Sequence, residues 1–364
     1  MVYITLLLSL PFQANAAVVT WDGRAKEAVW SGPGRGGNDG DKNWDRSSPP
    51  VNGDALAFDG ASFLTNINNI DGLSIVGITF NTGADAFVID GNQITLAGDI
   101  TNSSINTQTI SLALGLSAGD RTLAATAGDI AIGGVISGSG GITKTGDQKV
   151  TLTGSNSYTG TTNVSAGTLL ADNSSGSATG SGAVNVGVNG TLGGTGTIAP
   201  TGNNSITVSG IIAPGDGSAP GALTFDLSST TGSLVMSSGS SFQLHLGVPQ
   251  SSASLFILGA TSGKVVFNNN TVDFMGTGSL GSYKLFDTDS NNANTWSGLT
   301  VDANGKVTGG LNYSNLANGY NANFYIGGNS FGGDSGDLYV QVIPEPSTAL
   351  LCGLGFLILF HRRR

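Results

Sequence analysis

The run Gly138-Ser139-Gly140-Gly141-Ile142-Thr143-Lys144-Thr145-Gly146 leads into Val150-Thr151-Leu152-Thr153-Gly154-Ser155-Asn156, then Tyr158-Thr159-Gly160, and closes on Val164 and Gly167-Thr168-Leu169. Apolar residues alternate with Thr and Ser in short runs, and Gly, Asn or Asp punctuates each run. A period of two puts the apolar side chains on one face of a strand. Val, Ile and Thr suit a pleated surface, and Gly and Asn supply turns that need φ > 0. A longer period is superimposed. Ile142, Val164, Val186 and Val208 stand 22 residues apart, and Gly167-Thr168-Leu169 returns 23 residues later as Gly190-Thr191-Leu192. Self-similarity on the scale of about 20 to 50 residues marks a solenoid. Each turn of chain lays a strand beside its equivalent in the previous turn, with apolar side chains stacked inward and Thr, Ser and Asn facing water. Almost no helical periodicity interrupts this pattern, so the body reads as all-β.

The same stretch is very similar to the autotransporter-associated β-strand repeat, which implies a right-handed parallel β-helix. Gln148 stands where that repeat usually has Gly, and Val150 where it usually has Leu; neither opposes a strand. One full copy is clear. The flanks look related: Trp21-Asp22-Gly23, Asn43-Trp44 and Asn52-Gly53-Asp54-Ala55-Leu56-Ala57-Phe58 resemble the N-terminal portion of proteins carrying the repeat. Ile75 to Phe80, Phe87 to Ile89 and Ile94 to Leu96 read as early rungs, and Phe242 to Leu246, Leu255 to Leu258, Val265 to Phe267 and Tyr283 to Phe286 as later ones. Aromatics thicken after Trp296, at Tyr313, Tyr320, Phe324, Tyr325, Phe331 and Tyr339. An open solenoid end needs protection from edge pairing, so this region reads as an irregular cap, with an independent β-sandwich as the other reading. The expected organisation is a signal peptide (1–16), an N-terminal solenoid region with an aromatic cap (17–131), the repeat region (132–215), a C-terminal β region or cap (216–342) and a sorting tail with a short apolar helix (343–364).

Composition narrows the function. The chain has 58 glycines in 364 residues and only 10% charged residues, against usual shares of about 7% and 25%. Hydrophobic residues make up 39%, which suffices for a core and argues against disorder throughout. No Gly-X-Y period runs through it, which excludes collagen. Net charge is −10, and three of the 14 Lys and Arg sit at the last three positions. Phosphate backbones need clustered cations, so nucleic acid is not an expected partner. Cys352 is the single cysteine, and His245 and His361 are the two histidines. An intrachain disulfide, a multi-cysteine zinc site and a two-histidine zinc helix are therefore excluded, and a Ser-His-Asp triad could use only His245 within the body.

Both ends read as addresses. The apolar run Val2 to Leu10 precedes Ala14-Asn15-Ala16, which fits the small-x-small pattern of signal cleavage between Ala16 and Ala17. No Lys or Arg precedes the run, which leaves a downstream-annotated start or a buried N-terminal strand as other readings. At the other end Pro344-Glu345-Pro346 is followed by apolar Ala349 to Phe360, His361, and Arg362-Arg363-Arg364. The apolar run is shorter than the ~20 residues of an ordinary span, and the arginines would hold that end on the cytoplasmic side. This tail closely resembles the PEP-CTERM sorting signal of Gram-negative bacteria, in its tripeptide, its apolar helix and its arginine cluster. The resemblance implies transient anchoring in the inner membrane, processing by an exosortase, and delivery of the body to the cell surface or an exopolysaccharide matrix. A plain membrane anchor is the other reading.

No constellation stands out as chemistry. Of the 24 acids 22 are Asp, many beside Gly or Asn, as in Asp71-Gly72, Asp90-Gly91 and Asp216-Gly217, which suits Asx turns at corners. Glycoside cleavage would need two carboxylates ~5–10 Å apart across a sugar. Gly332-Gly333-Asp334-Ser335-Gly336-Asp337 departs from a calcium nonapeptide in spacing and does not repeat. No glycine run is followed by Gly-Lys-Ser/Thr, so no phosphate loop is present. Trp21, Trp30 and Trp44 read as a hydrophobic plug over the first coil, with a sugar-stacking platform as the other reading. His245 alternates with apolar Phe242, Leu244 and Leu246 and shares the outer face with Gln243. The expectation is an exported, non-enzymatic surface or matrix protein that needs no cofactor or metal, is associated with exopolysaccharide in a biofilm, and is sorted by an exosortase. The alternative is a polysaccharide-cleaving β-helix enzyme, a lyase or glycoside hydrolase. An autotransporter passenger is disfavoured, because the C-terminus lacks the ~10-residue alternating strands of an outer-membrane barrel.

Overall fold

The computed structural model describes residues 17–25, 27–31, 43–46, 48–216, 221–246, 255–259, 264–275, 279–288, 296–316, 319–327 and 336–345. They form a parallel β-solenoid with three strand positions per coil, which we name the first, second and third faces. One coil shows the pattern. Asp120–Ala125, Ile130–Ile132 and Ile136–Gly138 occupy the three faces in turn, and the chain then returns to the first face with Gly141–Thr145, parallel to Asp120–Ala125. The first-face ladder runs unbroken and parallel from Val18–Trp21 through Ala55–Phe58, 77–80, 99–102, Asp120–Ala125, Gly141–Thr145, 162–164, 184–186, Ile206–Val208, Leu234–Met236 and Val265–Val266 to Trp296–Ser297.

The alternation in the sequence decides what points inward. On the first face Leu56, Ile78, Ile100 and Leu123 stack in register, and on the second Leu169, Leu192, Ile212, Phe242 and Val272 do so. All are buried. Stacked branched side chains bury apolar surface at every rung, while the backbone groups of each strand are satisfied by the coils above and below.

The 22-residue period holds in part. Val164, Val186 and Val208 are in register. Ile142 is not their next member: it pairs with Thr162, and Lys144 takes the place beside Val164. That coil is 20 residues long because its return is tight. A Cβ on Gly160 would lie 2.3 Å from the nitrogen of Gly141, so the backbones touch where a longer corner would need room. The 23-residue return of Gly-Thr-Leu is a β-bulge: Val164 faces Val186, but Ala166 faces Asn189, and Val188 is thrust out, 74% exposed.

The N-terminal end is closed by aromatics. Trp21, Trp30 and Trp44 are all at most 3% exposed. Trp44 meets the rings of Trp21 and Trp30 edge-on at 5.2 and 5.6 Å, and Trp30 Nε1 donates to Asn66 Oδ1 at 2.8 Å. They are a plug, with no ring face left for a ligand. Residues 43–45 also cover the edge of the first strand, through Asp22 N to Asn43 O and Asp45 N to Thr20 O.

Coils continue beyond residue 216. Leu234–Met236, Ser241–His245 and Leu255–Leu258 repeat the three faces, and parallel pairing reaches Leu311–Ser314 on the second face. Antiparallel strands appear at the far end, where Leu338–Pro344 lies between Gly281–Thr288 and Tyr320–Ile326. The expected signal peptide and the apolar helix at 349–360 lie outside the described residues.

Candidate functional site

The third face is broken at one place. Parallel pairing along it carries 94–96, Leu114–Leu116 and Ile136–Gly138, and resumes at Thr197–Ile198, Leu223–Asp226 and Leu255–Leu258. Between them the chain is rich in Ser, Gly and Asn and makes no regular strand there, only an isolated bridge from Asn156 to Ser177. The break leaves a groove of about 530 Å³, lined by Asn156, Ser157, Ser177 and Ser181 from the irregular rungs, and by Thr197, Asp226 and Leu258 from the resumed ones. Four hydroxyls, one amide and one carboxylate are set into a lining whose surface is mostly apolar. Asp226 Oδ1 is held by the backbone N–H of Ser228 at 3.0 Å and by its hydroxyl at 2.5 Å.

A second polar feature runs along the first face. Thr122, Thr143, Asn163, Asn185 and Thr207 are register partners on successive coils and project outward. Adjacent strands lie about 4.8 Å apart, so these side chains form an uncharged row at that pitch. Asn185 Nδ2 donates to Asn163 Oδ1 at 3.0 Å.

Two buried polar residues of the repeat serve the fold. Lys144 occupies an inward position that is apolar in the coils on either side. It is fully buried, and its ammonium donates to the carbonyls of Thr145, Gly146 and Ala166 at 2.9, 2.7 and 3.0 Å. Burial pushes its pKa down to about 8, with Asp147 and Asp129 pulling the other way. Tyr158 is also fully buried, with its hydroxyl 2.5 Å from Thr162 Oγ1. Burial raises its pKa, and the Thr162 hydrogen bond opposes the rise.

The carboxylates are engaged by backbone in two ways. Some close local turns: Asp59 and Asp90 accept from Gly60 N and Gly91 N, and Asp302 from Asn304 N. Others reach one coil onward: Asp99 accepts from Thr122 N, Asp129 from Lys149 N and Asp172 from Thr195 N, at 2.7–2.8 Å. Asn156 does both jobs of an amide, accepting from Ile136 N and donating to Ala178 O. These coil-to-coil links are an addition to the Asx turns read from sequence. In the cap, Lys284 Nζ lies 2.9 Å from the buried Asp337. Desolvation lowers the Lys284 pKa, but the hydrogen bond and charge of Asp337, with Tyr339 and Asp287, raise it overall. Among the described residues no group of three or more His, Cys, Asp or Glu is placed to hold a metal ion.

The residues singled out at the ends do not meet one another or the groove. Ala14 and Ala16 lie outside the described residues; Ala17 is exposed, and its carbonyl accepts from Ala55 N at 2.8 Å. Pro344 ends the strand Leu338–Pro344 opposite Tyr320, and Glu345 N donates to Gly319 O at 2.8 Å. The tripeptide thus begins inside the cap sheet. Pro346 and Arg362, Arg363 and Arg364 lie outside the described residues. His245 is half-buried on the outer face beside Gln243, as the alternation implies. The groove residues Ser177, Ser181 and Asp226 carried no motif, and only the loss of strand-forming residues at 153–161 and 172–183 marked their place.

A family model described as the passenger-associated-transport-repeat matches residues 142–171. The match covers Lys144, Tyr158 and two groove residues, Asn156 and Ser157, and supports an autotransporter-associated repeat in an exported cell-surface protein. Neither the curated proteins nor the solved structures contain a match to this chain.

Proposed function

We propose that the chain is an exported, non-enzymatic surface or matrix protein that holds exopolysaccharide along its coils. The observation that carries this reading is the register-matched row Thr122, Thr143, Asn163, Asn185 and Thr207. An extended neutral polysaccharide laid along the coil axis meets a hydroxyl or amide at each rung, and many weak hydrogen bonds add up without a single deep site. The groove beside Ser177 and Ser181 adds further hydroxyls. The tail from Pro344 to Arg364 supplies the address: an exosortase processes it after transient anchoring in the inner membrane, and a signal peptidase cuts between Ala16 and Ala17.

Two measurements test the reading. Deleting residues 344–364 abolishes surface display, and unchanged display in that deletion removes the sorting claim. Retention of the protein on its own exopolysaccharide rises with glycan length; retention that does not depend on length removes the row. Asp226 in the groove favours a second reading, polysaccharide cleavage. A reducing-end assay over a glycan panel decides between them: turnover that disappears in Asp226→Asn favours the enzyme.

A further inference from the structure

The last described coil exposes the end of a core column. Tyr313 is in register with Val272, Phe242 and Ile212, so its side chain belongs to the inward column of the second face. Leu311–Ser314 ends that parallel ladder among the described residues, and Tyr313 is 37% exposed where its column mates are fully buried. Its ring is held, not loose. It contacts Phe274 and Phe324 at 6.4 and 6.5 Å between centroids, and its hydroxyl donates to Asn321 Oδ1 at 2.9 Å. A cleft of about 230 Å³ opens here, lined by Tyr313, Leu311, Phe324, Asn312, Asn323 and Thr308, among others.

We propose that this cleft binds a single neutral pyranose unit at the end of a glycan. The inference rests on the reading of the body as a glycan-holding surface, and it names a defined end site distinct from the diffuse row. Three features select the ligand. Leu311, Phe324 and the Tyr313 ring give part of the lining an apolar and aromatic surface, which suits the C–H face of a sugar ring. Asn323 lines the cleft with an amide, Asn312 keeps its amide oxygen while its Nδ2 donates to Asn269, and the Thr308 hydroxyl, which donates to Thr300 O, can still accept from a ring hydroxyl. The lining contains no charged side chain, so a charged sugar would lose hydration without gaining a partner. The volume limits the occupant to about one ring. Coil-on-coil stacking by a second copy is disfavoured, because residues 43–45 cover the first strand that would have to dock.

Saturation-transfer NMR on the full chain tests this with methyl β-glucopyranoside, methyl β-galactopyranoside and N-acetylglucosamine, using glucuronate and glucosamine as charged comparators. At least one neutral sugar saturates and the charged pair does not. Tyr313→Ala weakens binding about tenfold, and Asn323→Ala about fivefold. Tyr313→Phe keeps the ring and binds within about threefold of wild type, which separates stacking from loss of the Asn321 contact; circular dichroism confirms that each variant is folded. Equal binding by Tyr313→Ala, preference for a charged sugar, or capture of an extended peptide in place of sugars overturns the proposal. If wild type binds none of the monosaccharides yet is retained on polysaccharide, the cleft is wrong and the row stands. If wild type is not retained on polysaccharide either, the underlying reading fails as well.

Discussion

The coils between residues 56 and 208 and those between 208 and 314 solve the same stacking problem differently. In the first set, register partners are 20 to 23 residues apart, from Leu56 through Ile78, Ile100, Leu123, Lys144, Val164 and Val186 to Val208. In the second set the step lengthens to 28 from Val208 to Met236 and to 31 from Leu234 to Val265 and from Val265 to Trp296. Both sets use glycines in backbone contact, as at Gly98 and Gly134 in the first and Gly232 and Gly298 in the second, and both carry links across one coil, from Asp99 and Asn156 in the first and Asn270 in the second. The long coils fill their interior with larger rings: Phe242, Phe267, Phe286 and Trp296 meet one another at 5.2 to 6.1 Å. The inward column sets the register in both, and the corners set the length of the coil.

Corner glycines offer the largest test. A Cβ at Gly98 would lie 1.7 Å from Val76 O, and one at Gly134 1.9 Å from Leu112 O. Gly98→Val and Gly134→Val therefore displace backbone, and urea denaturation shows a loss above about 4 kcal/mol or no folded protein. Gly239, in the longer coils, has φ +86° and open space around its Cβ position. Gly239→Ala costs only about 1–2 kcal/mol, the strain of the left-handed conformation. Similar losses at Gly134 and Gly239 would erase the distinction between the two kinds of corner.

Removing a link between tight coils comes next. Asn156→Ala leaves a buried N–H and a buried C=O on two neighbouring coils without partners, which costs about 2–4 kcal/mol. A loss below 1 kcal/mol in thermal or chemical denaturation would mean that these links are decorative.

The third test is pH. Lys144 has a folded pKa near 8, below the ~10.4 of an unfolded lysine. Between these values the unfolded chain binds more protons, so stability rises with pH, by at most about 1.4 kcal/mol per unit for one proton. Below pH 8 both states are protonated and the term is flat. Tyr158 has a raised folded pKa, so above the ~10 of an unfolded tyrosine the native state holds more protons and stability falls. Lys144→Met flattens the rising limb, and Tyr158→Phe the falling one. Lys264 is the counterpart in the long coils. Its ammonium donates to the carbonyls of Thr230 and Gly232, and desolvation lowers its pKa. It is only partly buried, so Lys264→Met changes the pH profile less than Lys144→Met does.

The smallest effect belongs to the outer row. Asn163→Ala with Asn185→Ala changes stability by less than about 0.5 kcal/mol while weakening retention on exopolysaccharide. A stability loss matching the loss of retention would assign the row to the fold.

Strand alternation, glycine corners and the Gly-Thr-Leu return made the solenoid legible in the sequence. The plug was legible too, because three tryptophans before the first regular coil had nothing else to cover. The register of Ile142 was not. Counting apolar residues carries the eye from Ile142 to Val164, whereas the fold seats Lys144 there and satisfies its ammonium with three carbonyls. A charged residue at an inward position reads as outward until its partners are known. The long coils hid their period because the stretches that lengthen them carry no apolar alternation. The groove was illegible for a related reason: it exists where strands are missing, and Ser, Gly and Asn say only that a strand is absent.

The chain has four tryptophans. Trp21, Trp30 and Trp44 lie in the plug, and Trp296 is on the last rung of the first face among the described residues. Intrinsic indole emission therefore comes from the two extremities of the stack and from nothing between them. A melt followed at those wavelengths reports fraying of the ends, while the circular dichroism of the strands reports the middle. If the two traces separate on heating, the optical properties of the wild-type chain alone give the order in which its coils come apart.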